Sequence, residues 1–172
     1  MDIEALRATV VEFVRHNQVW APVIVFALAF GESLAVVSLF VPATVLMLAI
    51  GALIGVAGIE FWPVWLGAAV GATLGDWVSY EIGRALKYRA FTIWPLSTRP
   101  DLVTMGENFF SRWGTWGIFI GRFFGPARAV VPLIAGIFAM PRILFQAANV
   151  ASAMVWGFVL LAPGAGLQFL AL

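Results

Sequence analysis

The lengths of the uncharged stretches constrain this chain more than any other feature of its sequence. Two of them, 33–59 and 143–172, are roughly twice as long as the other three, which lie at 17–31, 61–75 and 129–141. A helix needs about 20 apolar residues to cross a bilayer, so only the two long stretches suffice unaided. The sequence therefore predicts an all-α polytopic membrane protein. Its shorter segments either contain a buried charge or turn back partway across.

The composition excludes several classes of protein. Hydrophobic residues make up 62% of the chain and charged residues only 11%, where a soluble domain has about 25% charged residues. A soluble monomer of this size would lack the polar surface to cover its core. The net charge of +1 offers no basic stripe for nucleic acid. Without cysteine, the chain has no disulfides and no thiolate metal ligands.

The organisation predicted from charge and hydropathy is a single membrane domain, residues 1–172. Its segments are an amphipathic interfacial helix (1–16), a first re-entrant segment (about 30–50), a long helix (61–87), a basic loop with an interfacial helix (84–112), a second re-entrant segment (113–141) and a C-terminal helix (143–170). The loop contains five basic residues and two acidic ones, which places it in the cytoplasm by the positive-inside rule. Pro163 and Gly164 predict a kink or an end in the last helix.

Four ionisable residues interrupt apolar sequence: Glu32, Asp76, Arg122 and Arg128. Each costs about 2.5–3.5 kcal/mol at a bilayer centre, so they must be paired, hydrated or close to an interface. One interpretation is a set of structural ion pairs. The other is a polar pocket for a charged substrate, in which the planar fork of each arginine suits a phosphate.

The sequence around the two arginines predicts a re-entrant hairpin that turns at Gly125 and Pro126. The apolar arms on either side have nine and thirteen residues, or about 14 and 20 Å of helix, roughly half a membrane each. Glycines and prolines from 121 to 136, Pro132 included, disfavour a continuous helix. An ordinary kinked span is the alternative.

The first half of the chain has a comparable break at Pro42. The segment 42–44 corresponds to 126–128, and 50–53 corresponds to 135–138, with nearly the same offset along the chain. Paired interrupted segments in two halves are typical of a transporter site at a repeat interface. The match is short.

The long middle helix has two patterns with a spacing of four residues. Its small residues, which predict close packing with another helix, are Gly67, Gly71 and Gly75. Its polar residues, which form a ladder toward the basic loop with a structural or coupling role, are Asp76, Tyr80 and Arg84.

Three motifs resemble those of one family. Residues 71–84, GATLGDWVSYEIGR, resemble the GDxxxYxxGR signature of the DedA family, also called SNARE-associated or VTT-domain proteins. Residues 121–128, GRFFGPAR, are similar to the family's second arginine motif, and residues 30–32, FGE, to its early buried glutamate. The resemblance extends from about residue 20 to the C-terminus.

This resemblance implies two opposed re-entrant hairpins in a small helical bundle of the bacterial inner membrane. It implies a transporter or flippase for an anionic lipid headgroup, undecaprenyl phosphate or a phospholipid, coupled to a gradient of protons or sodium. Glu32, Arg122 and Arg128 fall on substrate-binding positions, and Asp76 falls on a functional position. The chain departs from the family at Thr44, near which many members have a second acidic residue, and this leaves the coupling or the substrate open.

Two other classes of function are weighed against transport. A lipid phosphatase needs a histidine pair or a metal cluster, but His16 is the only histidine and no carboxylates have ligand spacing. No enzymatic activity, cofactor or metal is therefore expected. A membrane scaffold or homeostasis factor without transport activity is the main alternative, and homo-oligomerisation is left open.

Overall fold

The computed structural model describes residues 12, 16–34, 43–92, 96–98, 104, 108–110, 112–123 and 127–166. Every regular element within these residues is helical. The α-helices are α1 (Ala21–Ser33), α2 (Ala43–Ala57), α3 (Phe61–Leu86), α4 (Trp116–Gly121), α5 (Ala127–Ile137) and α6 (Arg142–Ala165). Short 3₁₀ helices lie at Gln18–Trp20, Lys87–Thr92 and Leu96–Thr98. The prediction of an all-α chain is confirmed for the described residues.

Local sequence explains where the two longest helices begin and end. Helix α3 follows Glu60 in extended conformation and ends before Lys87, whose positive φ of 49° no helix continues. Helix α6 follows Pro141 and ends at Gly166, where glycine tolerates a φ of 65°. The sequence predicts either a kink or an end of this helix at Pro163. The helix does not end there, because α6 continues to Ala165.

Helix α3 is the central helix of the bundle, since it packs against α1, α5 and α6, while α2 packs mainly against α6. The predicted close approach at the α3 glycines is confirmed. A Cβ at Gly67, Gly71 or Gly75 would overlap a backbone carbonyl of α1. Farther along, Gly83 of α3 and Gly136 of α5 bring those two backbones equally close.

Length and apolar composition together distinguish one helix that could span a membrane from the other helices. Among the described residues, α6 alone is long and apolar enough to cross a membrane by length and composition, and two shorter apolar helices accompany it, Gln18–Ser33 and Leu46–Ala57. Helices α4 and α5, with 6 and 11 residues, are about 9 and 16 Å long.

The second predicted re-entrant segment contains two short helices, because α4 ends at Gly121 and α5 begins at Ala127. The predicted disruption at Pro132 is wrong, because α5 runs through that residue. The proline is the sixth of the eleven residues of α5, so it removes one hydrogen bond from the middle of the helix without ending it.

Several predicted features lie outside the described residues. These are most of the interfacial segments 1–16 and 101–112, the turn residues Pro42, Gly125 and Pro126, and the side chain of Thr44. The re-entrant hairpins therefore stay a prediction.

Candidate functional site: a buried charge cluster

The four intramembrane charges meet as two ion pairs between different helices. Asp76 on α3 binds Arg122, the residue that follows α4. Glu32 in the last turn of α1 binds Arg128 in the first turn of α5, with 2.7 Å between Glu32 Oε1 and Arg128 Nη1. All four residues are buried, each being at most 9% exposed. The formal charges in this cluster sum to zero.

Arg122 is bound on several sides by side chains from two helices. In addition to Asp76, it donates from Nε to Ser152 Oγ (2.9 Å) and from Nη2 to Asn149 Oδ1 (2.6 Å). Asn149 in turn donates to the backbone carbonyl of Thr73 on α3 (3.0 Å). A polar network therefore joins α3, α6 and the end of α4 through one guanidinium group.

Arg128 has a different environment. Its guanidinium carbon lies 4.4 Å from the centroid of the Trp156 ring, in a cation–π contact. Trp156 is itself buried on α6. Among the described residues, Arg128 is therefore held by an ion pair with one carboxylate and by a contact with one aromatic ring.

Each arginine also has a buried nitrogen without a hydrogen bond to any described residue. These atoms are Nη1 of Arg122 and Nη2 of Arg128. An unsatisfied buried donor costs about 1–3 kcal/mol, and a charged donor costs more. Such atoms are therefore suited to receive the oxygen of a ligand or of water.

Tyr80 and Arg84 lie along α3 from this cluster and form a second, separate contact. The Tyr80 hydroxyl donates to the backbone carbonyl of Met140 and accepts from Arg84 Nη1 (2.9 Å). The Tyr80 ring stacks on Phe145, with 4.2 Å between the centroids. These contacts tie the end of α3 to the start of α6, and no described contact joins them to the two arginines.

Three residues of the cluster are missing from the sequence prediction: Asn149, Ser152 and Trp156. They occupy one face of α6, at spacings of three and four residues. All three lie in an uncharged stretch, and a search for charged residues passes over them. Two buried polar residues on the same face of an apolar helix are the signal that would have found them.

The described residues contain no group of three or more metal-ligating side chains. His16 is exposed and lies 4.0 Å from Glu12, away from the charge cluster. The arrangement offers guanidinium donors, carboxylates and hydroxyls in an apolar bundle. Such an arrangement can bind an anion or exchange ions.

The fold and this cluster define an integral membrane protein with a buried, charge-balanced site. Residues 41–166 match the VTT domain family. The chain belongs to this family, the DedA family of membrane proteins.

Two relatives from Escherichia coli are the inner membrane protein YabI and the inner membrane protein YghB. YabI is 33% identical over 159 residues, which cover 92% of this chain and 63% of YabI. YghB is 29% identical over 148 residues, which cover 86% of this chain and 68% of YghB. An uncharacterized membrane protein of Buchnera aphidicola is 31% identical over 152 residues, which cover 88% of this chain and 59% of that protein.

This chain spans about three fifths of the length of YabI and of the Buchnera protein. No solved structure matches it significantly.

Proposed function

We propose that this protein moves an anionic lipid headgroup across the bacterial inner membrane. The observation that carries the proposal is the pair of buried arginines, Arg122 and Arg128, each with a guanidinium nitrogen that has no described hydrogen-bond partner. A phosphate bears several acceptor oxygens and pairs strongly with guanidinium groups. Undecaprenyl phosphate and phospholipids both present such a headgroup.

The charge balance of the cluster supports coupling to an ion. Two arginines and two carboxylates sum to zero, so a bound phosphate adds uncompensated negative charge in a medium of low dielectric. Uptake of a cation, a proton or sodium, would restore the balance. Glu32 is the candidate group for the coupling, because its partner Arg128 has fewer described hydrogen bonds than Arg122, the partner of Asp76.

The experiment is reconstitution into liposomes that contain a polyprenyl phosphate or a phospholipid with a reporter group. Transbilayer movement is measured with and without a proton gradient, and again with a sodium gradient. We expect movement that depends on the protein and rises with one gradient. For the arginine-to-lysine variants of the cluster, the matched control is Arg112→Lys, which changes an exposed arginine. Movement of none of these lipids would favour a scaffold or homeostasis factor that transports nothing.

The orientation is part of the same proposal. We place residues 84–112 in the cytoplasm on the basis of their five basic residues. Ser97 is exposed within this segment. Ser97→Cys should resist an impermeant thiol reagent until the cells are opened, and since the chain has no other cysteine, the label reports this position alone. Labelling in intact cells would contradict the proposed orientation and place this segment on the opposite side of the membrane.

A further inference from the structure

The guanidinium group of Arg128 lies over the aromatic ring of Trp156. The guanidinium carbon lies 4.4 Å from the ring centroid. The N–H bonds of a guanidinium lie in its plane and point outward from its edges. An aromatic ring attracts the cation through its π electrons and offers these N–H groups no oxygen acceptor. Glu32 is different, because its carboxylate oxygen Oε1 lies 2.7 Å from Nη1 of Arg128 in an ion pair.

These two contacts respond differently to an arriving anion. A phosphate oxygen competes with the Glu32 carboxylate, because both are anionic oxygen partners for the guanidinium nitrogens. It does not compete with the Trp156 ring. During an exchange of Glu32 for phosphate, the ring is the described contact that keeps Arg128 in place.

The position of Trp156 is fixed by the packing of α6 on α3. The ring is 3% exposed and belongs to the same hydrophobic core cluster as Val64 and Ala68 of α3. It follows Ser152 by four residues and Asn149 by seven, so all three side chains share a face of α6. That face holds Arg122 through hydrogen bonds and Arg128 through an aromatic ring.

We propose that Trp156 is the positioning residue for Arg128, holding the guanidinium group through its aromatic ring while Glu32 is exchanged for a phosphate oxygen of the lipid headgroup. Arg122 stays fixed by Asp76, Asn149 and Ser152 during this exchange. The proposal rests on the proposed function for the identity of the anion. The contact between Trp156 and Arg128 does not depend on that function.

The test measures how fast each arginine reacts with butane-2,3-dione, a small reagent for guanidinium groups, in the purified full chain. Peptide mass spectrometry reports Arg122 and Arg128 separately. The variants are Trp156→Leu, which removes the ring, and Trp156→Phe, which keeps a weaker one. The matched control is Phe61→Leu, which removes a buried ring from the same core cluster.

In the parent protein we expect Arg128 to react faster than Arg122, because it has fewer described hydrogen bonds. Loss of a desolvated cation–π contact is large enough to raise the rate for Arg128 by about tenfold. Trp156→Leu should raise that rate and leave Arg122 unchanged, and Trp156→Phe should fall between it and the parent. An unchanged Arg128 rate in Trp156→Leu would overturn the proposal. So would equal rises at both arginines, matched by Phe61→Leu, since general loosening of the core explains them.

A second arm repeats the measurement with a polyprenyl phosphate in the micelles. Protection of Arg128 in the parent, weakened in Trp156→Leu, supports both the positioning role and the lipid substrate. If neither a polyprenyl phosphate nor a phospholipid protects Arg128, while the rates still depend on Trp156, then the proposed substrate is wrong and the positioning of Arg128 stands.

Discussion

The Arg122 end and the Arg128 end of the charge cluster use the same residue type in different ways. Arg122 binds three side chains, contributed by α3 and α6. Arg128 binds one carboxylate and lies against one aromatic ring. Both are buried to a similar degree. The difference between them is therefore in their partners and not in their exposure to solvent.

Burial of an ion pair costs desolvation energy, which good geometry and additional hydrogen bonds offset. Asn149 and Ser152 supply those bonds to Arg122, which is what a structural centre requires. Arg128 has fewer described bonds of this kind, which is what an exchangeable centre requires. We therefore propose that, within the site formed by both arginines, the Arg122 end has the more structural role and the Arg128 end is the one that exchanges its partner.

The largest expected effect is on stability, at the Arg122 end. Arg122→Ala leaves Asp76 buried without its counter-ion and removes partners from Asn149 and Ser152. Loss of one member of a buried pair costs about 3–5 kcal/mol. We expect a marked fall in the thermal unfolding temperature of the purified protein, and a smaller fall for Arg128→Ala. Equal falls for the two variants would remove the distinction between the ends.

The exchange of arginine for lysine should sharpen the comparison. Lysine keeps the charge but lacks the planar fork. Arg128→Lys should unfold close to the parent temperature and lose binding of lipid phosphate. Arg122→Lys should lose about 1–3 kcal/mol of stability, because one ammonium group cannot serve Asp76, Asn149 and Ser152 in the geometry of a guanidinium. Thermal unfolding and lipid binding, measured on both variants, test this. Normal binding by Arg128→Lys would exclude a phosphate site there.

A moderate effect is expected for Glu32→Gln. Glutamine keeps an acceptor for Arg128 but removes its counter-ion, so the loss of stability should be smaller than the roughly 3–5 kcal/mol of a fully broken buried pair. Transport driven by an ion gradient should be abolished, because the neutral side chain cannot bind and release a cation. The measurement is transport in liposomes over a range of pH. A variant that responds to the gradient like the parent would show that coupling does not pass through Glu32.

The smallest effect is expected at the exposed pair of Glu81 and Arg142, which serves as a comparison outside the cluster. Arg142 donates to both carboxylate oxygens of Glu81, at 2.8 and 2.9 Å. Solvent and salt screen such a pair. Glu81→Gln should leave the unfolding temperature nearly unchanged, and less changed at high salt. A fall as large as that of Arg122→Ala would show that geometry outweighs burial in this protein.

The sequence identifies the residues whose burial in an apolar stretch costs the most free energy. A charge in an apolar stretch is conspicuous, so Glu32, Asp76, Arg122 and Arg128 were identified without coordinates. The glycines of α3 were identified because a regular spacing of four residues requires a partner backbone. Which acid meets which arginine was not predictable, since that depends on how α1, α3 and α5 are placed relative to one another.

The residues that distinguish the two arginines escaped prediction for a related reason. Asn149 and Ser152 carry no charge, and hydropathy averages them into the apolar stretch around them. Trp156 was one of several tryptophans, and nothing in its neighbours indicates that it lies under an arginine. The contact exists only in the folded chain, where Arg128 of α5 lies over the ring of Trp156 of α6.

The positions of the Arg122 partners along the chain also determine the order in which these partners are synthesised. Asp76 precedes Arg122 by 46 residues, whereas Asn149 and Ser152 follow it by 27 and 30. During translation, Asp76 is therefore synthesised before Arg122. Asn149 and Ser152 are synthesised after it. We expect the entry of α6 to complete the hydrogen bonding of Arg122 and to commit the nascent bundle to its fold. Chains arrested before α6 expose a poorly solvated cation within the membrane, and we expect cellular quality control to remove them.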